Sequence, residues 1–105
     1  MEDPSKAFKK YLNPNFKHHN QYFPGDRDSL LNALIEASKT DPNESFSIKQ
    51  AFETDDRVAL YSHVITNEMK IAVVHMLRFE NGKISEMWDV GQVIQESSPN
   101  KNGMF

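Results

Sequence analysis

The dipeptide Asn81-Gly82, set between the alternating runs Lys70 to Phe79 and Lys83 to Gln95, constrains the fold more than any other feature of the chain. Asparagine followed by glycine accepts the positive φ angles of a tight two-residue turn, and the flanking valine, isoleucine, phenylalanine and tryptophan suit a pleated, half-buried strand. Two further runs precede this hairpin. Ser45 to Phe52 alternates so that Phe46, Ile48, Gln50 and Phe52 are expected on one side, and Val58 to Thr66 is apolar on both faces and expected to be more deeply buried. Thr54-Asp55-Asp56 and Asn67-Glu68 read as the turns between them. Four long antiparallel strands are therefore predicted for the C-terminal part.

Such a sheet needs one face covered, and the cover must come from upstream. Asp26 to Lys39 has the pattern of an amphipathic helix: Asp26 or Asp28 can cap it, and Leu30, Leu31, Leu34, Ile35 and Ala37 form one stripe. A shorter helix is predicted over Pro4 to Leu12, ended by Asn13-Pro14. Between them, Asn15 to Gly25 shows no clean period and contains adjacent histidines, aromatics and a Pro24-Gly25 turn. The expected class is α+β, with a curved antiparallel sheet packed against N-terminal helices. The 105 residues are read as one domain, residues 1–105, ending in a polar tail, 97–105, whose Met104-Phe105 can dock in a groove or on a partner.

Composition removes several classes of function. With no cysteine there is no disulfide scaffold, thiol nucleophile or thiolate metal site. Acids and bases are interspersed at a net charge of −3, so nucleic acid is not an expected partner. No apolar stretch follows the N-terminal residues, so no signal peptide or membrane anchor is predicted and a cytoplasmic setting is expected. Four glycines form no phosphate-cradling loop, GxSxG is missing, and the histidines lack the HExxH spacing; no cofactor or metal is expected. An apolar content of 38% is modest for so short a chain, and a shared interface would help it, which points to a homodimer.

The informative residues are ionisable groups inside apolar strands. Asp89, in KISEMWDVGQVI, is either a solvated strand acid or a pocket acid/base, because a carboxylate within a sheet is costly unless hydrated or paired. His75, in KIAVVHMLRF, is either a satisfied core histidine or a pocket donor and acceptor. Their relation depends on register. An uninterrupted ladder from a two-residue turn sets His75 against Trp88 and turns Asp89 to the opposite face; a bulge moves the register by one and brings the two together. His18 and His19 are adjacent, so at most one faces a pocket. His63 lies in a strand, and Trp88 and Tyr61, with Phe46, Phe52 and Phe79, are candidate lining for a flat hydrophobic ligand or ordinary core aromatics.

These residues carry a resemblance. Val73-Val74, Arg78-Phe79, Asn81-Gly82-Lys83-Ile84, Glu86, Trp88-Asp89-Val90 and Gln92 resemble the C-terminal signature of SnoaL-like members of the nuclear transport factor 2-like superfamily. Upstream, Tyr11-Leu12, His19-Asn20 and DRDSLLNAL are similar to the family's aromatic, histidine-asparagine and helical segments. The resemblance implies a cone-shaped α+β fold, commonly homodimeric, and in polyketide cyclase members an aspartate that works with a histidine in an intramolecular aldol condensation. By that match Asp89 takes the acid/base role, His75 is its companion, and His19 lines the pocket, where Trp88, Tyr61 and His63 are also expected. Two departures stand out: His75 occupies a position where many relatives have aspartate, and Gln21 follows Asn20 where proline is common.

Two readings follow. In the first, the chain is a cofactor-free acid/base enzyme of the aldol cyclase, isomerase or dehydratase class acting on a small hydrophobic carbonyl compound. In the second, the same fold is a non-catalytic ligand-binding or protein-interaction domain.

Overall fold

The structure, a computed structural model, describes residues 10–22, 24–32 and 45–105. Five strands are present among them: β1 (Leu12–His18), β2 (Ser45–Thr54), β3 (Arg57–Ile65), β4 (Lys70–Glu80) and β5 (Lys83–Val93). They form one curved mixed sheet in the order β1-β5-β4-β3-β2. The strands β2 to β5 make the predicted antiparallel meander, whereas β1 joins β5 in parallel.

β1 corrects the sequence reading. Asn13-Pro14 was expected to end a helix running to Leu12, yet Leu12 opens a strand, and of that predicted helix the described residues include only 10 and 11 as helical. Proline is tolerated because β1 is an edge strand, with β5 as its one neighbouring strand. The ladder to β5 is interrupted between Leu12 and Lys17, around Pro14, which removes the alternation that would have betrayed a strand. The rest of the predicted Pro4 to Leu12 helix lies outside the described residues.

Residues 27–32 form a short helix. Asp26 caps it: Oδ2 accepts from the Ser29 amide at 2.9 Å and Oδ1 from the Ser29 hydroxyl at 2.7 Å, and these bonds hold the carboxyl below its usual pKa. Residues 33–39 of the expected helix, with Leu34, Ile35 and Ala37, lie outside the described part. Leu30 is buried against Leu12 and Phe16, with Ile84 and Met87 packed around them. Burying each of Leu12, Phe16 and Leu30 contributes about 1.5–3 kcal/mol. The cluster defines an inner face of the sheet, to which Leu77, paired with Met87, also belongs.

Two bulges set which residues reach that face. In β2 the ladder slips between Ile48 and Gln50. Phe46 and Ile48, opposite Val64 and Ser62, share the inner face, while Gln50 and Phe52, opposite Tyr61 and Ala59, go to the outer one. The expected single stripe of Phe46, Ile48, Gln50 and Phe52 is thus divided. The second bulge lies in the β4–β5 hairpin. Asn81 and Gly82, at φ 53° and 79°, form the predicted tight turn, with Phe79 opposite Ile84. Arg78 then faces Glu86, leaving Ser85 as the extra residue. Asn13 of β1 binds that bulge, donating through Nδ2 to Ser85 Oγ and, at 3.1 Å, to the Glu80 carbonyl.

The C-terminal tail folds back on the outer face. Tyr61 Oη donates to the Met104 carbonyl, and the Phe105 ring lies 5.1 Å from Tyr61 and 5.0 Å from His63. No helix among the described residues is long and apolar enough to cross a membrane.

Candidate functional site

The Ser85 bulge decides the site. Because β5 carries one extra residue, His75 pairs directly with Asp89 instead of Trp88, and both side chains reach the inner face. His75 Nε2 stands 4.0 Å from Asp89 Oδ2, and each side chain is about one-fifth exposed (22% and 20%). That spacing is an ion-pair distance but too long for a hydrogen bond, so neither group is used up by the other. Burial lowers the pKa of His75, and the nearby Asp89 charge opposes part of that effect. The imidazole is thereby biased toward its neutral form, with one nitrogen to donate and one to accept.

Asp89 has a second neighbour. Asn20 donates from Nδ2 to Asp89 Oδ2 at 3.2 Å, while its Oδ1 accepts from the Tyr22 amide at 2.9 Å and its own amide donates to His18 Nδ1 at 3.2 Å. Asn20 is held on three sides, which aims its amide group at the carboxylate. Both named contacts of Asp89 fall on Oδ2, so Oδ1 is the oxygen without a described partner.

A cleft of about 750 Å³ opens beside this group, lined by the loop His19 to Tyr22, by Met69, Ile71 and Val73, and by Asp89, Val90, Gly91 and Val93. It is within the size range of small-molecule sites and combines an apolar wall with a few polar groups. Gly91 has no side chain to fill it; a Cβ there would lie 3.3 Å from the Ala72 carbonyl oxygen and from Ile71 Cγ2. Among the described residues no group of three or more histidine, aspartate or glutamate side chains could hold a metal ion.

The remaining candidates are placed elsewhere. Trp88 pairs with Met76, one step from Asp89, and the pleat turns it to the outer face. Its indole is stacked on His19 (ring centroids 5.0 Å apart, planes within 5°) and lies under the Arg57 guanidinium at 5.4 Å. Tyr61 and His63, opposite Val74 and Ala72, are also outer-face residues, in contact with Phe105. The structure therefore does not bring Trp88, Tyr61 and His63 to the group formed by His75 and Asp89. His19 is at the rim of the cleft, but its Nε2 is directed to Glu86 Oε2 at 2.6 Å on the outer face. Its neighbour Asn20 supplies the inner contact, and the sequence offered for it only its place beside His19.

The pattern of the family described as SnoaL-like polyketide cyclase matches residues 2–96, nearly the whole chain. The chain belongs to this SnoaL-like family. Solved structures share its fold at low identity. IdmH of Streptomyces antibioticus, a candidate polyketide cyclase, superposes with a TM-score of 0.70 at 16% identity, covering 87% of this chain and 93% of that one. AclR of Streptomyces galilaeus, a candidate hydroxylase, gives 0.71 at 22% identity, covering 84% and 67%. TsrD of Streptomyces laurentii gives 0.72 at 14% identity, covering 86% and 76%. At these identities the likeness speaks for the nuclear transport factor 2-like fold alone. No functionally curated protein matches the sequence.

Proposed function

We propose that this SnoaL-like domain binds a small hydrophobic carbonyl compound in the cleft beside Asp89 and catalyses acid/base chemistry on it without a cofactor. The observation that supports the reading is the direct pairing of His75 with Asp89 on the inner face, where Asp89 lines an apolar cleft. Asp89 Oδ1 takes a proton from the carbon alpha to the carbonyl; the C–H electron pair moves into the enolate, whose oxygen accepts a hydrogen bond from neutral His75. In an aldol closure the enolate carbon then attacks a second carbonyl of the same molecule, and the proton held by Asp89 passes to the new alkoxide. Returning the proton to a different carbon gives an isomerase, and expelling a β-hydroxyl gives a dehydratase.

The exposed outer face supports a homodimer. Phe52, Val74, Met76 and Val90 lie there with between 40% and 75% of their surface open, a grouping that a second copy would cover.

Deuterium incorporation tests the catalytic reading. An aryl-fused cyclic ketone such as 2-tetralone is incubated with the protein in D2O and followed by NMR. Protein-dependent exchange alpha to the carbonyl is expected, falling on the order of 10²-fold or more in Asp89→Asn. Exchange that persists in Asp89→Asn would refute the role of Asp89. Saturable binding with no exchange would leave the ligand-binding domain as the function.

A further inference from the structure

We propose that His19, on the outer face, is a positioning residue for Asp89 on the inner face, acting through the loop His19 to Tyr22; this rests on the reading of Asp89 as the acid/base group. Sequence places His19 and Asn20 side by side, directly after β1, where the chain passes the edge of β5. Successive residues at such a crossing point to opposite faces. Here each is bound to one. His19 Nε2 meets Glu86 Oε2 at 2.6 Å and its ring lies flat on Trp88, while Asn20 Nδ2 meets Asp89 Oδ2 at 3.2 Å. The two anchors on β5, Glu86 and Asp89, belong to one strand and are separated only by Met87 and Trp88.

The loop is closed at its base, so the anchors act on a short, constrained segment. Lys17 bridges Asp26, the His18 amide donates to the Gly25 carbonyl at 3.0 Å, and the His19 amide donates to the Met87 carbonyl at 3.0 Å. Glu86 is itself steadied by Arg78, whose Nε donates to Oε1 at 3.1 Å and whose Nη1 lies 3.4 Å from Glu80. With both oxygens of Glu86 engaged, the His19 ring has one defined position. A fixed His19 leaves Asn20 little freedom, and Asn20 is the donor that holds Oδ2 of Asp89, a residue that lines the cleft. A catalytic carboxylate displaced by about 1 Å can lose on the order of 10²-fold in rate, so a support on the far face can matter without touching substrate.

The test reads Asn20 directly. Side-chain amide signals of Asn20 are recorded by NMR in the wild type, His19→Ala, His19→Gln, Glu86→Gln and Asp89→Asn, the last showing the signals when the carboxylate is gone. His19→Ala and Glu86→Gln are expected to move the Asn20 signals at least half of the way to their Asp89→Asn positions, with the signals of β3 unchanged. His19→Gln, which keeps a donor for Glu86, is expected to restore most of the shift. Emission from Trp88, the sole tryptophan, reports loss of the stacked ring in the same samples. Asn20 signals that stay in place in both His19→Ala and Glu86→Gln would overturn the proposal, whatever the exchange assay shows. If Asn20 moves while no variant or wild type exchanges ketone protons, the coupling stands and the acid/base reading of Asp89 fails.

Discussion

His75 and Asp89 face each other across β4 and β5 because Ser85 is accommodated as an extra residue between the hairpin turn and the pair. Without that residue in the ladder, the tight Asn81-Gly82 turn would set His75 against Trp88 and send Asp89 to the outer surface. The chemistry available to the cleft therefore depends on a bulge near the turn, and β1 contacts that bulge through Asn13, which reaches over to Ser85. The edge strand that supplies Leu12 and Phe16 to the core thus also contacts the bulge that decides which side chains the inner face presents.

Asn13→Ala tests this dependence. The substitution removes the donor to Ser85 Oγ, and Ser85 is buried, so its hydroxyl would lose a partner in a place that water reaches poorly. A loss of about 1–3 kcal/mol in urea unfolding is expected. Cross-strand NOEs between His75 and Asp89 should weaken in favour of His75 to Trp88 if the register slips. Unchanged stability together with unchanged NOEs would show that the bulge stands without Asn13.

Two groups predict how stability depends on acid. Burial holds the His75 pKa below its ordinary 6.5, so as pH falls below that value the unfolded chain takes up a proton that the folded one resists. Stability should therefore decline as pH drops below about 6.5, and His75→Leu should remove that part of the slope. Glu86 acts lower. The hydrogen bond from His19, then that from Arg78, keeps its carboxyl below the ordinary 4.5, so its contribution is present above that value and is lost as pH falls further. Glu86→Gln should flatten only this second region. Chemical denaturation at a series of pH values separates the two; a His75→Leu profile parallel to wild type above pH 5 would contradict the first.

Most of the sheet was legible because its strands announce themselves. Asn81-Gly82 fixes a turn, and Arg57 to Ile65 and Lys70 to Glu80 carry strand-forming residues over their length. β1 was not legible, since Pro14 and the irregular ladder erase its period and its partner lies some seventy residues later in the chain. Bulges were equally hidden: the register shifts at Lys49 and Ser85 come from tertiary contacts, and each reverses the face of every residue beyond it. That is why Asp89 and His75 were recognisable as unusual but not as opposed. It is also why Trp88, as conspicuous in sequence as His75, lies on the outer face, whereas Tyr61 and His63 lie there by simple alternation along the unbroken β3–β4 ladder. Asn20 was visible only as part of the His19-Asn20 match, because an asparagine in a polar loop shows no role until its partner Asp89 is known.

The outer face provides a test of association. Met76 sits in a row across the sheet with Phe52, Ala59 and Trp88, and 47% of it is exposed. Met76→Asp puts a charge in the middle of that row at small cost to the isolated fold, since the side chain is already half open to solvent. If two copies meet through this face, sedimentation equilibrium should show the wild type as a dimer and the variant weakened by tenfold or more. A wild type that stays monomeric at high concentration would remove the dimer, and an unaffected dimer in Met76→Asp would place the contact elsewhere.

Gly91→Ala separates backbone preference from packing at the cleft. In an open strand position alanine would be favoured, because glycine gives up about 0.5–1 kcal/mol through its greater chain entropy. At Gly91 the added methyl group meets the Ala72 carbonyl oxygen and Ile71 Cγ2 at 3.3 Å each. Ile71 can yield by a small rotation, but Ala72 belongs to the paired strand β4 and its carbonyl is part of the backbone, so β5 itself must shift. Overpacking of this kind costs about 1–3 kcal/mol, which exceeds the entropy gain. Net destabilisation on the order of 1 kcal/mol is therefore expected in thermal unfolding. Gly91 also lines the cleft, two residues from Asp89 on the same face, so ketone binding should weaken in parallel. A more stable Gly91→Ala protein would mean that the strands part easily at this point and that the cleft wall is softer than its packing implies.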